Sequence, residues 1–113
     1  MTAYNRGDIV LVPFPFSDQT TTKKRPAVVI SSSRYNTVSQ DIIIMAVTSQ
    51  MEKSFDIGEY LIKNWKEAGL LKPSAIKFAI STIAQNLVLK KLGTLSTDDL
   101  TGLKTVLENL LEL

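Results

Sequence analysis

The chain has 113 residues, 44% of them hydrophobic and 21% charged, with a formal net charge of +2. That length supports one core, hence one domain over residues 1–113, and the even spread of apolar residues excludes wholesale disorder. With no cysteine and no histidine, disulfide frameworks, thiolate chemistry, Ser-His nucleophile pairs and His- or Cys-type zinc sites are excluded.

Apolar runs such as Ile42–Val47 are far too short to span a membrane. The opening MTAYNRGD has no apolar core like that of a signal peptide. These absences point to a soluble cytoplasmic protein with no membrane partner. A net charge of +2 allows an anionic partner without demanding one, so local charge placement carries the argument.

In chain order, Asp8–Phe16 reads as a first strand. Pro13 and Pro15 cannot donate to a ladder, so its second half is expected at a sheet edge or bulge. Ser17–Arg25 is polar, rich in Thr and Lys, and reads as an exposed loop ending in Lys23-Lys24-Arg25. Pro26–Ser32 is a short apolar run, expected as a buried second strand. Ser33–Gln40 reads as a turn or short helical piece, and Asp41–Ser49 as a β-branched, buried third strand.

From Gln50 the signal weakens. Gly58–Ile62 reads as a strand, and Lys63–Ala68 as a short helix stopped by Gly69. Ser74–Ile83 is a strand with Ile76, Phe78 and Ile80 alternating on one face. Asn86–Leu95 suggests one more strand or strand pair. Ser96 followed by Asp99 resembles a capping box, and Leu100, Leu103, Val106, Leu107, Leu110 and Leu111 make one apolar helical stripe. The expected fold is mainly β (α+β): a small SH3-like β-barrel with a C-terminal α-helix.

The inventory narrows the chemistry. Asp8, Asp18, Asp41, Glu52 and Asp56 are scattered without metal-loop spacing, and no Gly-rich phosphate loop exists. Neither a metal nor another cofactor is expected. Arg25 stands before Pro26, which pushes it extended, and a guanidinium there can grip a phosphate with two parallel hydrogen bonds. By itself the Lys-Lys-Arg run reads first as a solvated loop and second as a phosphate-binding element. Thr48, Ser17 and Ser74 are hydroxyls at strand ends, suited to a ligand contact or to a cap. Among Phe14, Phe16, Tyr35, Trp65 and Phe78, Phe16 lies beside the basic loop as a base-stacking platform would.

Five segments in order resemble the MazF/PemK family of toxins: RGDIVLVPFPFSD, KKRPAVVISS, IIIMAVTSQ, GLLKPSAIKFAISTI and KKLGTLS with the closing helix. The resemblance covers nearly the whole chain. It implies a PemK/CcdB-type barrel, a homodimer, and metal-independent cleavage of single-stranded RNA (mRNA) at short sequences by attack of the ribose 2′-OH. It also implies neutralisation by a cognate antitoxin through a disordered acidic tail. The family's catalytic Arg of the R-P pair and Thr ending the third strand fall on Arg25 and Thr48. The candidate RNA-binding set is Phe16, Ser17, Lys23, Lys24, Ser49 and Ser74. The Ser17–Lys24 loop lacks the glycine that many relatives carry, so their cleavage motif does not transfer.

Two other readings stand beside this one. A non-catalytic toxin resembling CcdB, which poisons gyrase, would carry a Trp-Gly-Ile tip on its last helix, whereas this chain ends ENLLEL. An inactive barrel that only binds RNA or a peptide is the other.

Overall fold

The computed structural model describes residues 3–15, 22–49 and 59–113. Its elements are β1 (Asp8–Pro15), β2 (Thr22–Val29), α1 (Ser33–Val38), β3 (Asp41–Thr48), β4 (Glu59–Leu61), β5 (Ala75–Ala84), β6 (Lys90–Thr94) and α2 (Thr97–Leu111), with a 3-10 turn over Gln85–Leu87. The six strands form one antiparallel sheet in the order β4-β5-β3-β2-β1-β6. Among the described residues its two outer strands do not pair with each other, so the expected barrel takes the form of a sheet whose ladder stays open.

The prolines sit where the ladders permit them. β6 pairs with Asp8–Leu11 only, so Pro13 and Pro15 lie beyond its end and face no donor requirement on that side. Pro26 is not the first residue of β2, as expected, but lies inside it opposite Leu11; the ladder to β3 begins one residue later, at Ala27↔Ala46. The described end of the expected basic loop, Thr22–Arg25, is likewise strand. Lys23, Lys24 and Arg25 are strand residues, paired with Phe14, Pro13 and Val12. Ladder pairing with an apolar partner outweighs the local preference of a Thr/Lys run for loop.

Both faces of the sheet are covered. Ile9, Val28, Met45, Val47 and Ile76 pack with Leu103 and Leu107 of α2. On the other face Val10, Val12, Ala27, Val29, Ile42 and Ile44 are covered by Tyr4, Ile83 and Val88. This division follows from the two-residue period of a strand. Among the described residues no helix is long and apolar enough to cross a membrane.

α2 starts as its sequence predicts. Ser96 Oγ accepts from the Asp99 N–H (3.2 Å), and Leu103 and Leu107 of the stripe are buried. The segment before β5 departs from expectation. Residues 63–69 form turns rather than a helix, with bonds from Ala68 N–H to the Asn64 carbonyl and from Leu70 N–H to the Trp65 carbonyl. The turn closes at Gly69 (φ +86°), where a Cβ would strike the backbone carbonyl of Leu92. Its start is held by Asp99, whose carboxylate accepts from the N–H groups of Lys63 and Asn64 (both 2.9 Å).

Candidate RNA-binding groove

The R-G-D opening is structural. Gly7 takes φ +95°, Arg6 Nε donates to the Ile30 carbonyl (2.8 Å), and buried Asp8 accepts from Asn5 N–H (2.9 Å) and Thr94 Oγ1 (3.0 Å). Asp8 also pairs with Lys91 Nζ at 3.4 Å. These contacts pin the first strand against β6 and place Leu11 at the rim of a groove.

The groove has a volume of about 570 Å³. Leu11, Pro26, Val47, Leu70 and Leu92 give it an apolar floor, and Arg25, Lys72 and Lys90 bring three cations to it. Ser49 and Ser74 complete the polar lining. An apolar floor with cations along it suits a ligand that has flat apolar faces and spaced negative charge. Among the described residues no cluster of His, Cys, Asp or Glu could hold a metal ion.

The candidate residues divide as follows. Arg25 is half-buried and, with Ser49 and Ser74, meets the groove. Ser74 is buried and its hydroxyl donates to the Lys72 carbonyl (2.9 Å), so it also fastens the turn that carries Lys72. Thr48 ends β3, half-buried and next to Ser49. Thr48 itself does not line the groove, and the β2–β3 pairing ends at Ala27↔Ala46, before Arg25 and Thr48 are reached. Lys23 and Lys24 are exposed on β2 and do not line the groove. Phe16 and Ser17 lie outside the described residues. Of the other aromatics, Trp65 and Phe78 pack against the core, and Tyr35 is partly exposed on α1.

Lys72 and Lys90 were missed by sequence reasoning. Lys90 and Lys91 are neighbours in the chain, but strand alternation separates them: Lys91 turns to Asp8, while Lys90 and Leu92 line the groove. Only the pairing Leu11↔Lys90 brings that side of β6 beside Arg25.

Residues 5–111 match the profile of the family described as the PemK-like, MazF-like toxin of type II toxin–antitoxin systems. The chain belongs to this family. No individual curated protein matches it. Among solved structures, MazF of Deinococcus radiodurans aligns with a TM-score of 0.75 at 20% identity, covering 100% of each chain. The Mycobacterium tuberculosis toxin MazF-mt6 gives 0.75 at 17% identity, covering 94% of this chain and 97% of that one. An endoribonuclease in complex with its cognate antitoxin, from a mycobacterial species, gives 0.72 at 17% identity, covering 100% and 97%. At these identities the likeness is one of fold.

Proposed function

We propose that this toxin is an endoribonuclease that cleaves single-stranded RNA without a metal ion. The observation that carries the reading is the meeting of Arg25 with Lys72, Lys90, Ser49 and Ser74 in one groove, with Thr48 next to Ser49 at the end of β3. Family membership supports the same reading, as does the mycobacterial relative described as an endoribonuclease.

In the proposed reaction the ribose 2′-oxygen loses its proton and bonds to the adjacent phosphorus. The bond to the 5′-oxygen breaks, and that oxygen takes up a proton. The products are a 2′,3′-cyclic phosphate and a 5′-hydroxyl. Charge builds on the non-bridging oxygens, where Arg25 offers two N–H donors in a plane and Thr48 one hydroxyl. A guanidinium stays protonated at ordinary pH, so Arg25 acts by charge stabilisation rather than as a general base.

A homodimer and a cognate antitoxin belong to the same proposal. Large apolar side chains stay exposed on the single chain, among them Leu61, Ile80, Leu87 and Leu111. A cationic groove with an apolar floor also accepts an acidic tail with apolar anchors. The cytoplasm, where RNA is at hand, is the proposed location.

Incubating purified protein with mixed RNA in EDTA tests the reaction. Cleavage with 5′-hydroxyl ends is expected, and Arg25→Ala should lower the rate by roughly 10²-fold or more. Thr48→Ala should lower it as well. A requirement for magnesium, or a parental rate in Arg25→Ala, would reject the mechanism.

A further inference from the structure

The groove runs across the strands. Its lining passes from Ser49 after β3, to Arg25 and Pro26 on β2, Leu11 on β1, and Lys90 and Leu92 on β6, which is the order of the strands in the sheet. Leu11 pairs with both Pro26 and Lys90, so these three residues form one row across three strands. Adjacent strands lie roughly 4.8 Å apart, which puts the Lys90 backbone about 10 Å from that of Pro26. Lys72 comes from the segment before β5, three residues after Gly69, whose backbone abuts Leu92 of β6. Its carbonyl is held by Ser74 Oγ, and the Ser74 carbonyl in turn accepts from Ile62 N–H (3.0 Å).

Both lysines are exposed, and neither forms an ion pair with a described residue. Their nearest counterpart, Lys91, is the one that serves the fold, through Asp8. Two cations thus share the groove with Arg25 and with the apolar surface of Leu11, Pro26, Leu70 and Leu92. That combination suits a polymer carrying one charge per unit and a flat apolar face between charges.

We propose that Lys72 and Lys90 are substrate-positioning residues that hold RNA phosphates neighbouring the one at Arg25, so that the strand lies across β3, β2, β1 and β6. This rests on the endoribonuclease reading for its substrate, and extends it to residues outside the reacting centre.

The test uses a short single-stranded RNA titrated into the full chain at several salt concentrations, alongside steady-state cleavage. Lys72→Gln and Lys90→Gln should each weaken binding several-fold. Each should also make the slope of log affinity against log salt shallower by about 0.7, the value for one phosphate contact on a single strand. In cleavage the loss should fall on KM, and Lys72→Arg and Lys90→Arg should restore binding. A lysine needed only for folding would move melting temperature and leave the salt slope alone. Parental slope and KM in both Gln variants would overturn the proposal. So would parental RNA binding combined with lost binding of an acidic antitoxin-tail peptide, which would make the lysines a protein-docking feature. If the parent binds RNA with the stated slopes but never cleaves it, the nuclease reading falls and the positioning role stands. If the parent neither binds nor cleaves RNA, both fall.

Discussion

Asp99→Asn should be among the most damaging single-atom changes in this chain, although it removes no volume. Asp99 is fully buried at the start of α2. Its Oδ1 accepts from Tyr60 Oη (2.7 Å) and Lys63 N–H (2.9 Å), and its Oδ2 from Asn64 N–H (2.9 Å) and Ser96 Oγ (3.3 Å). An asparagine has one acceptor oxygen and one NH₂ group. Whichever way it turns, the NH₂ faces a backbone N–H, of Lys63 or of Asn64. Ser96 Oγ already accepts from Asn64 Nδ2 (2.7 Å) and from Asp99 N–H (3.2 Å), so it has no lone pair to offer. The variant loses a bond to a charged acceptor and leaves a buried donor unmet. Together these cost about 3 kcal/mol. For a chain of this size that lowers Tm by roughly 10 °C.

The same contacts give a pH signature. Burial alone pushes the Asp99 carboxyl up, but the Lys63 and Asn64 N–H groups, with the Tyr60 and Ser96 hydroxyls, outweigh it and hold the pKa below that of a free aspartate. A depressed folded-state pKa contributes stability that is complete above the unfolded value, about 4, and is lost as pH falls through the folded value. The gap between parent and Asp99→Asn should therefore be full at pH 7 and shrink below about pH 4. Asp98→Asn is the control, because it removes the same charge from the same helix turn at an exposed position and should change stability by about 0.5 kcal/mol. Thermal unfolding followed by circular dichroism at several pH values reads both effects. Asp99→Asn melting with the Asp98→Asn control at pH 7, or a gap unchanged at low pH, would refute the reasoning. The clamp also fixes the turn leading to Lys72 and Ser74, so loosening it should weaken RNA binding at temperatures where the fold persists.

Gly69→Ala combines a positive φ with a collision against the Leu92 carbonyl, and should cost about 2 kcal/mol or more; a denaturation midpoint within error of the parent would contradict the close approach of the turn to β6. Sedimentation at micromolar concentration should give twice the 12.5 kDa chain mass, whereas a monomer would reject the dimer. In the same format an acidic antitoxin tail should compete with RNA. Reversing the exposed Lys23 and Lys24 to Glu should weaken both ligands together, and parental antitoxin binding with lost RNA binding would separate the two surfaces.

Features set by neighbours in the chain are legible in the sequence. The Ser96 cap and the leucine stripe of α2 depend on residues within one or two helical turns, and β3 announces itself through a run of β-branched residues. Arg25 stands out because Pro26 restricts its backbone whatever the fold. Other features depend on partners far away in sequence. Thr22–Arg25 looks like loop and becomes strand because β1 supplies a ladder. Residues 63–68 look helical and form turns instead, closing at Gly69 where the backbone abuts Leu92 of β6, more than 20 residues later. Ser96 and Asp99 read as a local cap, yet Asp99 is also the acceptor for a distant turn. Lys72 and Lys90 carry no local mark of a role; they join Arg25 because strand order puts β6 beside β1 and Gly69 brings the turn before β5 against Leu92 of β6. Local propensity encodes the elements, whereas the groove is a product of register and strand order, which arise from pairing between distant segments.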